Sequence, residues 1–471
     1  MKSPLPQIRA DIRSVIQVAR LGSFDTSTPE GRSAERYRRI MLSTVASITG
    51  TAVMTIVGLI AIPITIGYLG KKQYGLWVAV NSLVPWVSLF DMGIVAGLVI
   101  ALSEAHGRDD HAAARGYFST AFFALLAVSA LFLGVLAVLL PWVDWSGLFD
   151  VPPAIPASTT RAGVAVALGF ALLMLPLGTA AQACAAYQKS YWWTVATALA
   201  ALLSLAFLLA ATRLGLSFAI VVGTTGGAGL LAALAGTGYL LSRQFPWLRP
   251  STSQVSLRSL RRLLASAVPL YVLQIGGLLV NQSQRPLLAN RAGLATVAEY
   301  DLLMRLFVMS TTVITVGTAS FIPAFRESHE RGDVAWMRRT FWRLVAIRLT
   351  LAALLCVAFL LFGNPLLRIW LRRADFRFDV WVWLTLCFLV MVSAWVSSFL
   401  ELMTILDRIW PLVRVVFLQG LLTVGLTWVL APRGGVLGAV VSMTLPAVIV
   451  SGLLLPAMGW RLVTMATRAR S

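Results

Sequence analysis

The chain has few acidic residues, few cysteines and few histidines, and each shortage removes a class of protein. It carries 19 Asp and Glu against 39 Lys and Arg, and charged residues make up 12% of its 471 positions, about half the share in a soluble domain. Its three cysteines form no CxxC pair, which argues against a disulfide framework or a cysteine zinc site. His106, His111 and His329 match no metal spacing, and no GxSxG, P-loop or HExxH motif is present. We therefore expect no metal, no cofactor and no soluble catalytic domain.

What the chain has instead is long apolar sequence, with 58% hydrophobic residues. Most of these runs hold about 20 residues or more, enough for a helix to cross about 30 Å of hydrocarbon. The pattern predicts an all-α polytopic membrane protein with about 12 transmembrane helices. We place the spans at 41–68, 76–101, 117–140, 163–185, 192–212, 217–241, 264–284, 297–322, 342–362, 380–402, 411–431 and 434–457.

The basic residues predict how these spans are oriented. With the N-terminus inside, the cytosolic loops and ends collect about 25 Lys and Arg against about ten on the other side, so both termini are expected in the cytosol. The net charge of +20 therefore indicates topology rather than binding to nucleic acid. Residues 1–40 form a basic cytosolic segment without a cleavable signal. Apolar positions from Ile8 to Ala19 on one helical face suggest an interfacial helix, with a plain polar tail as the alternative.

A weak internal repeat predicts two halves. The segment 188–192 opens span 5 as 407–411 opens span 11, and residues 213–215 resemble 433–435, each about 220 residues later. The predicted organisation is two six-helix bundles with a linker and a tail. Their bounds are 41–242 for the first bundle, 243–262 for a basic cytosolic linker, 263–460 for the second bundle and 461–471 for a cytosolic tail.

Two arginines inside apolar spans are the main candidate site, because ionisable groups in a bilayer are costly. Arg285 precedes the turn between spans 7 and 8 by about ten residues, and Arg305 follows it by about ten. An antiparallel pair puts both guanidiniums at similar depth, where they suit a diphosphate. Asn281 and Gln284 add hydrogen-bonding groups for sugar hydroxyls, and Asp301 is spaced for an ion pair with Arg305. The alternative is that both arginines extend to the outer interface.

Three further residues have two interpretations each. Arg348 joins the predicted binding residues, although it also lies near enough to a span end to extend to the interface. Asp91 lies deep in span 2 without a cation nearby in sequence, and it either couples transport to an ion or caps helix ends. Asp301 shares the coupling or gating prediction with Asp91.

Several short motifs resemble one known family. The stretch 67–77, GYLGKKQYGLW, and the stretch 90–94, FDMGI, are similar to the start of bacterial polysaccharide flippases, and residues 293–305 resemble the hairpin between their spans 7 and 8. The resemblance implies the multidrug/oligosaccharidyl-lipid/polysaccharide exporter (MATE-like) fold, with alternating access between two bundles. It also implies a substrate, an undecaprenyl-pyrophosphate-linked oligosaccharide in the bacterial plasma (inner) membrane. Many members carry an acid where this chain has Gln284-Arg285, so no coupling-ion site is transferred.

The leading hypothesis is a lipid-linked oligosaccharide flippase for capsule, exopolysaccharide or O-antigen. Its expected partners are the lipid-linked substrate, the bilayer, a polysaccharide polymerase and a chain-length regulator, with no nucleic acid. A cation-coupled multidrug exporter of the same fold is the first alternative, and it predicts buried acids rather than arginines. A membrane polymerase or ligase is the second, and it needs a large outer loop, whereas the longest outer loops here, 141–162 and 363–379, are short.

Overall fold

The computed structural model describes residues 29–315, 325, 328, 331, 333–373, 376–405 and 409–458. The interfacial helix predicted near the N-terminus, the C-terminal tail and His329 lie outside these residues.

The first half of the chain is a series of helices joined by short turns. Its helices are α1 Pro29–Asn81, a 3-10 helix Val84–Asp91, α2 Ile94–Gly107, α3 His111–Leu139, the short α4 Trp145–Leu148, α5 Ala157–Ala186, α6 Ser190–Arg213 and α7 Phe218–Tyr239. A π-helical turn, Leu240–Gln244, and two short 3-10 turns then lead towards the second half.

The second half of the chain is also a series of helices. Its helices are α8 Leu257–Asn281, α9 Gln284–Ala292, α10 Leu294–Thr315, α11 Val334–Leu371, α12 Val380–Ile405 and α13 Ile409–Pro446, followed by a π-helical turn Ala447–Gly452. The described residues contain nine helical stretches that are long and apolar enough to cross a membrane. The all-helical, multi-pass membrane class is therefore confirmed. The count of twelve spans and the cytosolic termini stay predictions, because the number of crossings depends on how a bilayer cuts the broken helices.

Glycines with positive φ mark the sharpest turns of the chain. Gly70 and Gly293 share nearly the same conformation, with φ of 72° and 82° and ψ of 171° and 161°. Gly215 and Gly435 have φ of 65° and 51°. Each pair is separated by about 220 residues, the offset of the predicted repeat, and glycine reaches this region at little cost. These matched turns support the interpretation that the two halves are built alike.

The turns at Gly435 and Gly293 reverse the chain. Thr427 Oγ1 lies 2.8 Å from Ser442 Oγ on the other side of Gly435, although a straight helix would separate residues 15 apart by about 22 Å. We call the end of the bundle at Gly70 and Gly293 the hairpin end. The opposite end, which carries the segment 243–256, is the linker end.

The linker packs against the first bundle as far as Ser256. The backbone N–H of Ser251 donates to Ser119 Oγ at 3.2 Å, and that of Ser256 donates to Thr120 Oγ1 at 3.1 Å, so α3 holds both. Leu248 is fully buried in the same core as the α2 and α3 residues. The second bundle therefore connects to the first through the chain just after Ser256.

Close backbone contacts join the two bundles near each end. A Cβ at Gly75 would overlap the carbonyl group of Leu294 near the hairpin end, and a Cβ at Gly97 would overlap that of Leu263 near the linker end. Such approaches require glycine, as in many packed membrane helices. They place α10 against the α1 region and α8 against α2, where the candidate site lies.

Candidate functional site

The hairpin of α9 and α10 brings Arg285 and Arg305 onto one carboxylate. Arg285 Nη2 lies 3.3 Å from Asp301 Oδ1, and Arg305 Nε lies 2.8 Å from Asp301 Oδ2. The reversal at Gly293 explains this convergence, because it sets residues on either side of the turn at the same level. The sequence predicted the shared depth of the two arginines, but it assigned Asp301 to Arg305 alone.

Asp301 also bonds to the first bundle. The hydroxyl of Tyr74 donates to Asp301 Oδ2 at 2.9 Å, and Asp301 is 3% exposed. A buried carboxylate needs such partners, since an unpaired one would be strongly destabilising. Two guanidiniums against one carboxylate leave one unit of positive charge at the junction of the bundles. One signal in the sequence points to Tyr74, namely its place in the stretch 67–77 that resembles the family motif, but no sign of its partner is visible there.

The two arginines differ in their surroundings. Arg285 also donates from Nη1 to the carbonyl oxygen of Asn281 at 3.1 Å and to Gln282 Oε1 at 3.3 Å, and its side chain is 17% exposed. Arg305 is 33% exposed, and its hydrogen bond to a described residue uses Nε. Arg305 also lies close to the hydroxyl of Tyr74, and part of its side chain stays accessible to another ligand.

Arg305 lines a cavity that is otherwise built by the first bundle. The cavity has a volume of about 370 Å³, and its walls come from α1, α6 and α7. Its polar lining combines hydroxyls and aromatic groups with the guanidinium. These polar residues are Thr65, Tyr74, Trp77, Thr197, Ser204, Thr224, Thr225 and Arg305. Sequence reasoning missed the hydroxyl-bearing residues, because isolated Ser and Thr are common in membrane helices and form no pattern.

The structure places Gln284 and Asn281 away from this cavity. Gln284 is fully buried, and its amide nitrogen donates to Ser442 Oγ at 3.1 Å and to Thr427 Oγ1 at 3.3 Å. Its amide oxygen accepts from the hydroxyl of Tyr300. Asn281 donates to the carbonyl oxygen one turn earlier in α8 at 2.8 Å. Gln284 thus joins α9 to α13 in this conformation, and its predicted contact with glycan stays a prediction.

Arg348 belongs to a different cluster. It is 2% exposed and donates to Ser398 Oγ at 3.0 Å and to Glu401 Oε2 at 2.6 Å, which ties α11 to α12. Its guanidinium is held by a partner 53 residues later in the chain, so the structure shows a buried ion pair between two helices, and the predicted part of Arg348 in binding stays a prediction. Its contacts are structural in kind, and they do not include Asp301.

Asp91 ends the broken helix of span 2. Its Oδ1 accepts the backbone N–H of Gly93 at 2.7 Å, directly after the 3-10 helix, and the side chain is 5% exposed. Met92 and Gly93 both have positive φ there. Of the two interpretations of Asp91, the structure shows the geometry of a cap, while a part in coupling stays a prediction.

An ion pair joins the bundles near each end. Lys71 Nζ lies 2.5 Å from Glu299 Oε1 at the hairpin end. At the linker end Arg262 Nη2 lies 2.5 Å from Glu104 Oε2, and Arg262 Nη1 donates to the hydroxyl of Tyr117 at 2.8 Å. Both ends of the interface between the bundles are thus held at once. Sequence reasoning counted Lys71 and Arg262 as topology signals, and it made no prediction about their carboxylate partners, which lie 228 and 158 positions away.

Comparison with known sequences gives a family for this arrangement. The sequence profile described as "Polysaccharide biosynthesis protein" matches residues 41–329. A comparison with curated protein sequences gives no match.

Comparison with solved structures gives the fold. A multidrug resistance MATE family transporter of the MOP superfamily in an inward-facing conformation aligns with a TM-score of 0.73 at 13% identity, covering 89% of this chain and 96% of the other. The lipid II flippase MurJ in an inward closed conformation aligns with a TM-score of 0.71 at 10% identity, covering 89% and 87%. A MOP superfamily transporter from Pyrococcus furiosus aligns with a TM-score of 0.62 at 13% identity, covering 92% and 97%. The fold is therefore the one shared by these transporters and this flippase.

Proposed function

Since this chain belongs to the polysaccharide biosynthesis protein family, we propose that it is a flippase for an undecaprenyl-pyrophosphate-linked oligosaccharide. It moves the repeat unit from the inner to the outer leaflet of the bacterial plasma membrane, for capsule, exopolysaccharide or O-antigen. A polysaccharide polymerase and a chain-length regulator are its expected partners in assembly.

One observation carries the proposal, namely that Arg285 and Arg305 share Asp301 where the two bundles meet. A pyrophosphate is a multivalent anion, and guanidiniums bind its oxygens through two N–H groups at once. The excess positive charge attracts the head group into a region where an unpaired charge would be costly. Asp301 keeps the arginines paired in the absence of substrate, so the head group replaces it as their partner.

The ion pairs at the two ends provide a route for alternating access. Breaking the pair of Arg262 and Glu104 opens the linker end, and breaking the pair of Lys71 and Glu299 opens the hairpin end. Both pairs are partly exposed, with side-chain exposures of 26% to 48%. Ion pairs of this kind contribute about 1 kcal/mol or less, so substrate binding can open either one. The polyprenyl tail stays in the bilayer while the glycan crosses between the bundles.

The decisive experiment removes the positive charge without leaving a buried charge unpaired. A triple variant, Asp301→Asn with Arg285→Gln and Arg305→Gln, replaces each charged group with a neutral amide. We expect it to insert normally and to lose polymer export in a deletion strain, while Arg213→Ala, an exposed arginine at the end of α6, keeps export. Normal export in the triple variant would reject the site, and glycan transfer by the purified protein would favour a polymerase or ligase.

A cation-coupled multidrug exporter is the second candidate, and one observation favours it. Asp301 is a buried acid close to a cavity, as a cation-coupled exporter would need. In that case a deletion strain becomes sensitive to cationic drugs and keeps its surface polysaccharide. The flippase proposal expects the opposite pair of results.

A further inference from the structure

The cavity beside Arg305 carries a hydrogen-bond donor without a partner. Trp77 lines the cavity, and its indole nitrogen is buried with no partner among the described residues. Its ring stacks on Tyr74, with centroids 5.6 Å apart and planes inclined by 21°. A buried polar atom is normally paired, so the unpaired N–H of a residue that lines the cavity points to a partner that accepts a hydrogen bond.

Hydroxyl groups of the cavity lining are available as acceptors. Ser204 Oγ donates to Thr225 Oγ1 at 3.2 Å, and Thr65 Oγ1 donates to the carbonyl oxygen of Ala61 at 2.8 Å. A hydroxyl that donates to the protein keeps lone pairs for a second hydrogen bond. The cavity therefore offers acceptors from hydroxyls, a donor from Trp77 and a cation from Arg305.

This combination fits a sugar next to a phosphate. A sugar ring has hydroxyls that donate and accept, and its apolar face packs on aromatic side chains. The volume of about 370 Å³ lies within the range of small-ligand pockets. Among the lining residues that the structure describes, none is acidic, which disfavours a cationic drug in this place.

We propose that this cavity is a sugar subsite, which holds the sugar bonded directly to the pyrophosphate while Arg305 holds the phosphate. The proposal rests on the proposed function and adds to it. The first bundle selects the first sugar of the glycan, and the arginine pair selects the anion. Selection by one sugar lets the rest of the repeat unit vary.

The test compares two water-soluble probes on the purified protein in nanodiscs. One is a short-chain prenyl pyrophosphate, and the other is the same prenyl pyrophosphate bonded to a single sugar, offered as glucose, galactose and N-acetylglucosamine. We expect at least one sugar-bearing probe to bind about tenfold more tightly than the bare probe, because one net hydrogen bond of about 1.4 kcal/mol corresponds to tenfold in Kd.

Trp77→Phe removes the indole N–H and keeps an aromatic ring. We expect it to abolish the tighter binding of the sugar-bearing probe and to change the Kd for bare prenyl pyrophosphate by less than about twofold. Trp192→Phe is the matched control, because its indole nitrogen is also buried without a partner among the described residues, but Trp192 does not line the cavity. Should Trp77→Phe fail to fold, Ser204→Ala with Thr225→Val carries the same expectation.

The outcomes separate the two proposals. Full sugar preference in folded Trp77→Phe, or equal binding of the bare and sugar-bearing probes by the wild type, would overturn the subsite. Binding of neither probe, or binding that does not change in Arg305→Gln, would overturn the proposed function itself.

Discussion

Asparagine at position 301 would remove the internal counter-ion of the arginine pair while preserving its shape. Asp301 lies 3.3 Å from Arg285 and 2.8 Å from Arg305 and accepts the hydroxyl of Tyr74. The amide oxygen of Asp301→Asn can still accept from Tyr74, so the main loss is one negative charge. The local charge rises from one positive unit to two.

The size of the effect follows from Coulomb's law. We take a separation of about 7 Å between a bound phosphate charge and the removed carboxylate, and an effective dielectric constant of about 20. Each unit of phosphate charge then gains about 2 kcal/mol, which corresponds to binding about thirtyfold tighter. The variant also leaves two guanidiniums without their buried partner, so the free protein loses about 3–5 kcal/mol of stability. Bound prenyl pyrophosphate should restore much of the lost stability, because it binds the folded state.

The assay is equilibrium binding of prenyl pyrophosphate to the protein in nanodiscs, at one fixed ionic strength because salt screens such charges. Asp301→Asn should bind more tightly and export less polymer, since release becomes slow. Asp301→Asn with Arg285→Gln restores one positive unit and should return to within about threefold of the wild type. Equal or weaker binding by folded Asp301→Asn would show that Asp301 does not compete with the head group.

Three further predictions test the interface between the bundles and the packing of the second bundle. Glu104→Arg should separate the bundles at the linker end by repulsion from Arg262, seen as longer distances between spin labels, and Glu104→Arg with Arg262→Glu should close it again. Arg348→Met should lower the melting temperature, since Glu401, whose side chain is 33% exposed, loses its ion-pair partner at a cost of about 1–3 kcal/mol. The folded variant should nevertheless keep its affinity for prenyl pyrophosphate, and a tenfold change in Kd would return Arg348 to the binding site. Gly75→Ala should destabilise the hairpin end or shift the bundles apart, because the new methyl group meets a backbone carbonyl, whereas Gly67→Ala, which has open space, should unfold at the wild-type temperature.

The sequence predicted the location of the arginine pair but not its chemistry. The distance of Arg285 and Arg305 from a turn at Gly293 was enough to place them at one level, because a helical hairpin has a regular rise. The role of Asp301 as the shared partner was not visible, since local spacing connects it to Arg305 only. Tyr74 is 227 positions from Asp301, and no local rule joins residues so far apart.

Gln284 and Arg348 show that the sequence also cannot identify the partner of a buried polar residue. Gln284 and Arg348 stand out in the sequence because polar groups in apolar spans are rare, and the structure shows both buried against protein partners. A polar group in a membrane helix needs a partner, but the sequence cannot tell whether that partner is a substrate or another helix. Packing decides this, and packing depends on contacts such as the pair of Arg348 and Glu401, 53 residues apart.

The sequence by itself determined that this protein is an array of membrane helices. Apolar runs of that length lie in hydrocarbon, where only a helix pairs the backbone N–H and C=O groups of a single segment with one another. The sequence also determined the turns, since glycine permits the positive φ that they require. Only the tertiary structure decided which charges meet. The cavity, its unpaired indole and the carboxylate shared by two arginines arise where helices from the two bundles touch, and the energy of a charge in a membrane depends on its neighbours in space rather than on its neighbours in the chain.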